Sequence, residues 1–346
     1  MDVNHHQRYT LPDRSFANIL KRDIARLAEG LGFSASEVGK INIIVSEMAS
    51  NLVKHSPQGG ELLVKTIGEK ASALEIICLD NGPGMSEPRR MMQDGISTTG
   101  TAGEGLGAIK RQSDEFDLYS QPGSGTIILS RVHRAAGQVH PPQRQSRFET
   151  GVVMVPKPGE QLCGDGYAII EEGNNLYLIA LDGLGHGANA NEASQLAAQV
   201  FQSNYKSDLP VNLRLIHTLI RRTRGAVGSI AHINVARNQI SYCGVGNIAG
   251  KIFCPEGGKQ ATTCRNIISY NGILGHNIPT TLNNQVAEWN NSRTLVLHSD
   301  GLRSRWDLNK YPGILNHDPT TIAAVLFKEF SRQTDDTLVM VVRNKV

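Results

Sequence analysis

ALEIICLDNGPGM, residues 73–85, runs seven largely apolar residues into an aspartate and then two glycines. The run 73–79 predicts a buried strand, and the DNGPGM after it predicts a turn. Asp80, at the strand end, is placed to accept a hydrogen bond from an exocyclic amine, while Gly82 and Gly84 let backbone approach a flat base. By itself an Asx-Gly pair is an ordinary turn. The segments on either side decide between the two.

Upstream, residues 34–54 predict a long helix, capped by Ser34 or Ser36, with Val38, Ile41, Ile44, Val45, Met48 and Leu52 as its apolar stripe. Within it, SEMASNLVKHS (46–56) sets Glu47 and Asn51 four residues apart, on one face. An amide oxygen at Asn51 suits Mg²⁺, and Glu47 one turn earlier can orient or deprotonate a hydroxyl. Alone, such a pair is usually a solvated helix face. Downstream, GTAGEGLG (100–107) opens a helix-like run, where backbone N–H groups form an anion site. No GxxxxGK[ST] occurs, which excludes a Walker-type site. With a further helix at 15–30 and strands at 61–67, 115–120 and 126–132, the region predicts a two-layer α/β sandwich.

In this order, ExxxN, DxGxG and GxGLG resemble the N, G1 and G2 boxes of the GHKL ATPase superfamily, over residues 8–132. The segment DGISTTGTAGEGLGAIKRQSDEF looks most like the anti-sigma-factor and stress-switch serine kinases; no phosphoacceptor histidine on a helical hairpin precedes it. The resemblance implies the Bergerat ATP-binding fold and ATP–Mg²⁺ as cofactor. Asn51 would then hold Mg²⁺, Glu47 would be the catalytic base and Asp80 would bind adenine. Gly82, Gly84, Gly103, Gly105 and Gly107 would shape the pocket and phosphate lid.

Residues 133–147 (HRAAGQVHPPQRQSR) are polar, basic and Pro-containing, which is a linker composition. From 148 to 346 short β-rich runs recur, with helix-like segments at 192–205 and 211–222, predicting a β-sandwich flanked by helices and an α+β chain overall. Aspartates fall where strands end: Asp165 (CGDGY), Asp182 (IALDGLGHG), Asp300 (LVLHSDG) and Asp335-Asp336 (QTDDT). A set of shared carboxylates is what two hard divalent cations need, and such a pair supplies hydroxide near neutral pH for in-line attack on phosphorus. The Gly183 carbonyl is a further oxygen ligand, while His186 reads equally as a leaving-group acid or as a loop histidine.

GDG, DGLGHG, SDG and DD-T in this order resemble the metal-dependent Ser/Thr protein phosphatases, in particular their bacterial sporulation and stress-response branch. The resemblance implies two Mn²⁺ or Mg²⁺. Asp182 and the Gly183 carbonyl would bind both ions, Asp300 and Asp335 one, with Asp165 accessory and Asp336 secondary. Lys157 and Arg147 are the basic residues near the domain start, and neither is assigned to phosphate.

Length and composition agree with two soluble domains: 346 residues, 40% apolar and 19% charged. The net charge of +3 is small and gives no electrostatic case for nucleic acid, which requires a concentrated basic face. Five scattered cysteines, with no CxxC, argue against disulfide or zinc frameworks and suit a cytoplasmic location. The opening MDVNHHQRYTLPDRS is no secretory leader, and no apolar run reaches the ~18 residues of a membrane span. His5-His6 reads as a frayed terminus.

The expected function is a bifunctional serine/threonine kinase and phosphatase of a bacterial partner-switching pathway, in stress response or a related signal. The resemblance implies a STAS-type antagonist or scaffold protein as phospho-substrate, and a sigma factor as the indirect target. The alternative is a phosphatase whose first domain only binds ATP or sequesters a partner. Oligomeric state, a dimer included, stays open.

Overall fold

In the computed structural model, which describes residues 5–11, 16–68, 71–92, 105–135, 146–256 and 260–345, the chain divides into two compact units, Met1–Gln143 and Arg144–Val346. Of the predicted linker, residues 136–145 lie outside the described ones. Among the described residues no helix is long and apolar enough to cross a membrane.

The first unit contains β1 (Gln7–Thr10), α1 (Phe16–Gly30), α2 (Ala35–His55), β2 (Gly60–Ile67), β3 (Ala73–Asp80), α3 (Pro88–Met91), α4 (Gly105–Gln112), β4 (Glu115–Gln121) and β5 (Gly125–His133). Its sheet has the order β1-β2-β3-β5-β4, with every pairing antiparallel. Ser34, one of the two expected caps, begins α2 through a capping box: its Oγ accepts from Glu37 N–H at 3.3 Å, and Glu37 Oε2 accepts from Ser34 N–H at 2.6 Å. The stripe Val38, Ile41, Ile44, Val45, Met48 and Leu52 is buried, and it packs with Leu62, Val64, Leu74, Ile76, Cys78 and Ile128 of the sheet into one core. Alternate residues of the strands meet the helices, so the unit has two layers.

The other parity of the strands carries an ion cluster. Glu75 is buried and accepts from Arg131 Nε at 2.8 Å and from His6 Nε2 at 3.2 Å, with Lys65 Nζ 3.8 Å away. Burial alone would raise the Glu75 carboxyl, but Arg131, Lys65 and His6 hold it well below the usual carboxylate range. His6 is therefore not frayed: it is fully buried, because β1 pairs with β2 and draws the residue before it onto Glu75. Glu75→Ala is expected to destabilise β2, β3 and β5 by about 3–5 kcal/mol, since buried cations lose their counter-charge. Hydrogen exchange of those strands reads the loss. The contribution of Glu75 is present above about pH 4.5 and disappears as pH falls below it, the direction set by a lowered folded-state pKa.

The second unit contains β6 (Phe148–Val155), β7 (Asp165–Glu172), β8 (Asn175–Gly183), α5 (Ala188–Asn204), α6 (Leu209–Leu219), β9 (Ala226–Asn234), β10 (Gln239–Val245), β11 (Ala249–Glu256), β12 (Gln260–Ile267), β13 (Gln285–Glu288), β14 (Thr294–His298), α7 (Pro319–Phe330) and β15 (Thr337–Asn344). Two five-stranded sheets form, β13-β10-β9-β8-β7 and β12-β11-β14-β15-β6. Leu176, Leu178 and Ala180 of β8 pack with Leu295, Leu297, Leu338 and Met340 in one core between the sheets. The intervening Ile179 and Leu181 pack with Phe201, Leu213 and Ile216 of α5 and α6. On the other sheet α7 lies against β6 and β15. The result is a β-sandwich with helices on both outer faces.

Candidate functional site

Glu47 and Asn51 project from α2 toward the start of α4. A methyl group placed on Gly105 would stand 2.8 Å from Glu47 Oε2 and 3.6 Å from Asn51 Oδ1. No side chain larger than hydrogen fits there without moving the glutamate, so Gly105 lets the α4 backbone reach both residues. Asn51, His55, Asp80, Met85, Gly105 and Thr126 contribute to the lining of a cavity of about 540 Å³, within the usual range for a small-molecule site.

The turn after β3 is organised by its own aspartate, whose Oδ1 accepts from Gly82 N–H at 2.6 Å. That bond leaves Oδ2 for a ligand. Gly84 has φ +72, and a methyl group there would stand 2.0 Å from the Gln121 carbonyl, so the turn closes only with glycine. Across the ladder Asp80 is paired in register with Thr126, whose hydroxyl lies 2.8 Å from Ser120 Oγ. Carboxylate and hydroxyl thus both line the cavity, a donor and acceptor set suited to a nucleobase edge. Thr126 was legible in the sequence only as the start of a strand. Its register opposite Asp80 carries no local signal. Gly107 is buried on α4; Gly103 lies outside the described residues.

In the second unit, β7 begins at Asp165 and β8 ends at Asp182-Gly183, and the register sets Asp165 opposite Asp182. Asp300 follows β14, and Asp335-Asp336 precede β15, the strand paired with β14. Ser299 joins the two sheets: its Oγ donates to Asp165 Oδ2 at 2.7 Å and accepts from Leu338 N–H at 2.9 Å. Asp300 Oδ2 accepts from Asn247 Nδ2 at 2.8 Å, and Asp336 Oδ1 from Lys157 N–H at 2.8 Å. Asp336 Oδ2 is buried without a hydrogen-bond partner.

The like charges act on one another. Burial, then the charge of Asp182, pushes Asp165 well up, against the Ser299 hydrogen bond. Burial, followed by Asp300, Asp335 and Asp336, pushes Asp182 up to about 8. Burial likewise raises Asp336, with Asp335 adding to it. Among the described residues no three His, Cys, Asp or Glu side chains are gathered closely enough to hold an ion unaided. Magnesium-like ions keep several waters and take one or two carboxylates each. An acidic set with a bare buried oxygen therefore fits hydrated divalent cations. His186 is exposed and bonded through Nδ1 to Glu160 at 2.6 Å, which supplies the structural bond of a loop histidine.

A family model for the histidine kinase-like ATPase domain matches residues 13–131. The serine/threonine-protein kinase RsbT of Bacillus subtilis (strain 168) is 36% identical over 111 residues, 32% of this chain and 84% of that protein. The phosphoserine phosphatase RsbX of the same organism is 26% identical over 160 residues, 46% of this chain and 77% of that protein. Among solved structures, one from work on the bacterial stressosome superposes with a TM-score of 0.52 at 26% identity, covering 57% of this chain and 100% of its own. RsbX in complex with magnesium superposes with a TM-score of 0.51 at 22% identity, covering 60% of this chain and 99% of its own.

Proposed function

We propose that this chain, which belongs to the histidine kinase-like ATPase family alongside RsbT and joins that domain to a metal-dependent protein phosphatase domain, is a two-enzyme switch. Its first unit phosphorylates a serine or threonine of a regulatory protein, and its second removes such a phosphate. The observation that carries this reading is the approach of the α4 start to Glu47 and Asn51, Asn51 and Gly105 lining the cavity.

At the first site Asp80 accepts from the adenine amine and Asn51 supplies an oxygen to Mg²⁺. Glu47 takes the proton of the attacking hydroxyl, a role that simple nucleotide binding does not require. At the second site Asp182, the Gly183 carbonyl, Asp300 and Asp335 would hold two Mn²⁺ or Mg²⁺, with Asp165 and Asp336 in support. When bound, the ions supply Lewis acidity and water acidic enough to react near neutral pH. Ser299 keeps Asp165 aimed at the rim by bonding it to the opposite sheet.

The relatives' names, a serine/threonine-protein kinase and a phosphoserine phosphatase, support opposed phosphorylation and dephosphorylation. On this reading the pathway is a cytoplasmic partner switch, with a STAS-type antagonist or scaffold protein as phospho-substrate and a sigma factor further on. The test is to incubate the full chain with such a STAS protein and γ-labelled ATP, with and without excess Mn²⁺. Label that accumulates on the partner and is then released is the expected result. Release from a pre-phosphorylated partner without any labelling from ATP would sink the kinase half and leave a nucleotide-binding or sequestering domain.

A further inference from the structure

The geometry points to Arg224 as the phosphate-binding side chain of the second unit, contacting the phosphoryl oxygens of a phosphoserine or phosphothreonine. The inference rests on the phosphatase reading above. A phosphoryl dianion approaching five aspartates is repelled unless a cation beyond the metals meets it, and the chain near the domain start supplies none that reaches. Arg147 precedes β6 at the end where Phe148 pairs with Asn344, whereas Asp336 adjoins the other end, where Val155 pairs with Thr337. The eight intervening strand residues put about 25 Å between them. Lys157 is near, but what it gives the site is its backbone N–H, donated to Asp336.

Arg224 comes from elsewhere in the chain. It lies between α6 and β9, and the first residues of β9, Ala226 and Val227, pair with Gly183 and Asp182. Leu184 N–H donates to the Gly225 carbonyl at 3.0 Å, and His276 Nε2 donates to the Arg224 carbonyl at 2.8 Å. The backbone is thereby held on both sides. The side chain extends over the DGLGHG loop: a methyl group placed on Gly185 would stand 2.9 Å from Arg224 Nη1. Arg224 is exposed, and among the described residues no carboxylate or carbonyl accepts from its guanidinium. A planar, permanently charged fork lying over Gly185, which follows Asp182 by three residues in the chain, and without a protein partner among the described residues, is suited to two phosphoryl oxygens at once. Gly185 has φ +87, which favours glycine there and leaves that fork room over the loop.

The experiment is calorimetric titration of inorganic phosphate into the Mn²⁺-loaded full chain, for the natural protein and for Arg224→Ala, Arg224→Lys and Lys157→Ala, with Mn²⁺ binding measured alongside. Arg224→Ala is expected to weaken phosphate about tenfold, the worth of a charge-assisted hydrogen bond. Lysine should recover part of that, and Mn²⁺ affinity should stay unchanged. On a phosphoserine peptide KM should rise about as much, with kcat moving less. Phosphate affinity in Arg224→Ala within twofold of the natural protein, or a larger loss in Lys157→Ala, would overturn the assignment. Arg224-dependent phosphate binding by a chain that releases no phosphate from phosphoserine or phosphothreonine would instead overturn the phosphatase reading and leave Arg224 an anion site.

Discussion

Asp182→Asn is expected to remove Mn²⁺-dependent dephosphorylation, by more than the ~100-fold typical of an outer-shell partner, and at the same time to raise the melting temperature of the metal-free second unit. Both effects have one cause. Asp182 stands opposite Asp165 in register and near Asp300, Asp335 and Asp336, and burial with those charges pushes its carboxyl up to about 8. The arrangement stores repulsion that divalent cations relieve. An amide of the same shape removes the carboxyl that must take up a proton on folding, and the ligand with it. Each kcal/mol recovered should appear as about 2–4 °C for a unit of this size.

The pH dependence has a defined sign. The folded-state pKa values of Asp165, Asp182 and Asp336 are all raised, so the folded protein holds protons that the unfolded chain has released. Their contribution is complete below about pH 4 and is lost as pH rises toward about 8. Thermal melts of the metal-free chain should therefore fall over that window, and saturating Mn²⁺ should restore most at its upper end. Asp300→Asn is the companion variant. Retained dephosphorylation in both would remove these carboxylates from the centre.

Glu47→Gln is expected to lower phosphotransfer to the partner by about 10²–10⁴-fold, the usual worth of a positioned general base, while ATP binding stays within a fewfold of the natural protein. The glutamate is not among the residues lining the cavity that Asp80, Thr126 and Asn51 share; it faces the α4 start beside Asn51. Glutamine keeps that contact and its volume but cannot accept the hydroxyl proton. Nucleotide affinity is read with a fluorescent ATP analogue and transfer by label on the partner. Undiminished transfer would take Glu47 out of the chemistry, and lost binding would make it a structural prop for the glycine segment.

The amino-acid sequence alone determined what depends on near neighbours. The strand 73–79 followed by DNGPGM, the single face shared by Glu47 and Asn51, the Ser34 cap and the aspartates after apolar runs all follow from helical or strand period and turn chemistry. Helix α7 was missed because Pro319–Phe327 are all buried, leaving no polar face to give a helical period. The capping interaction of Asp318 with Thr320 N–H was the available signal. Tertiary structure decided the partners. Asp80 meets Thr126, Asp165 meets Asp182, Ser299 reaches Asp165 across 134 residues, His6 is drawn onto Glu75, and Arg224 comes to lie over Gly185. The physical reason is common to all five: strand register and sheet packing, set by the whole hydrophobic pattern, decide which strand ends and loops meet, and for the strand pairs a one-residue slip would turn the side chain to the other face.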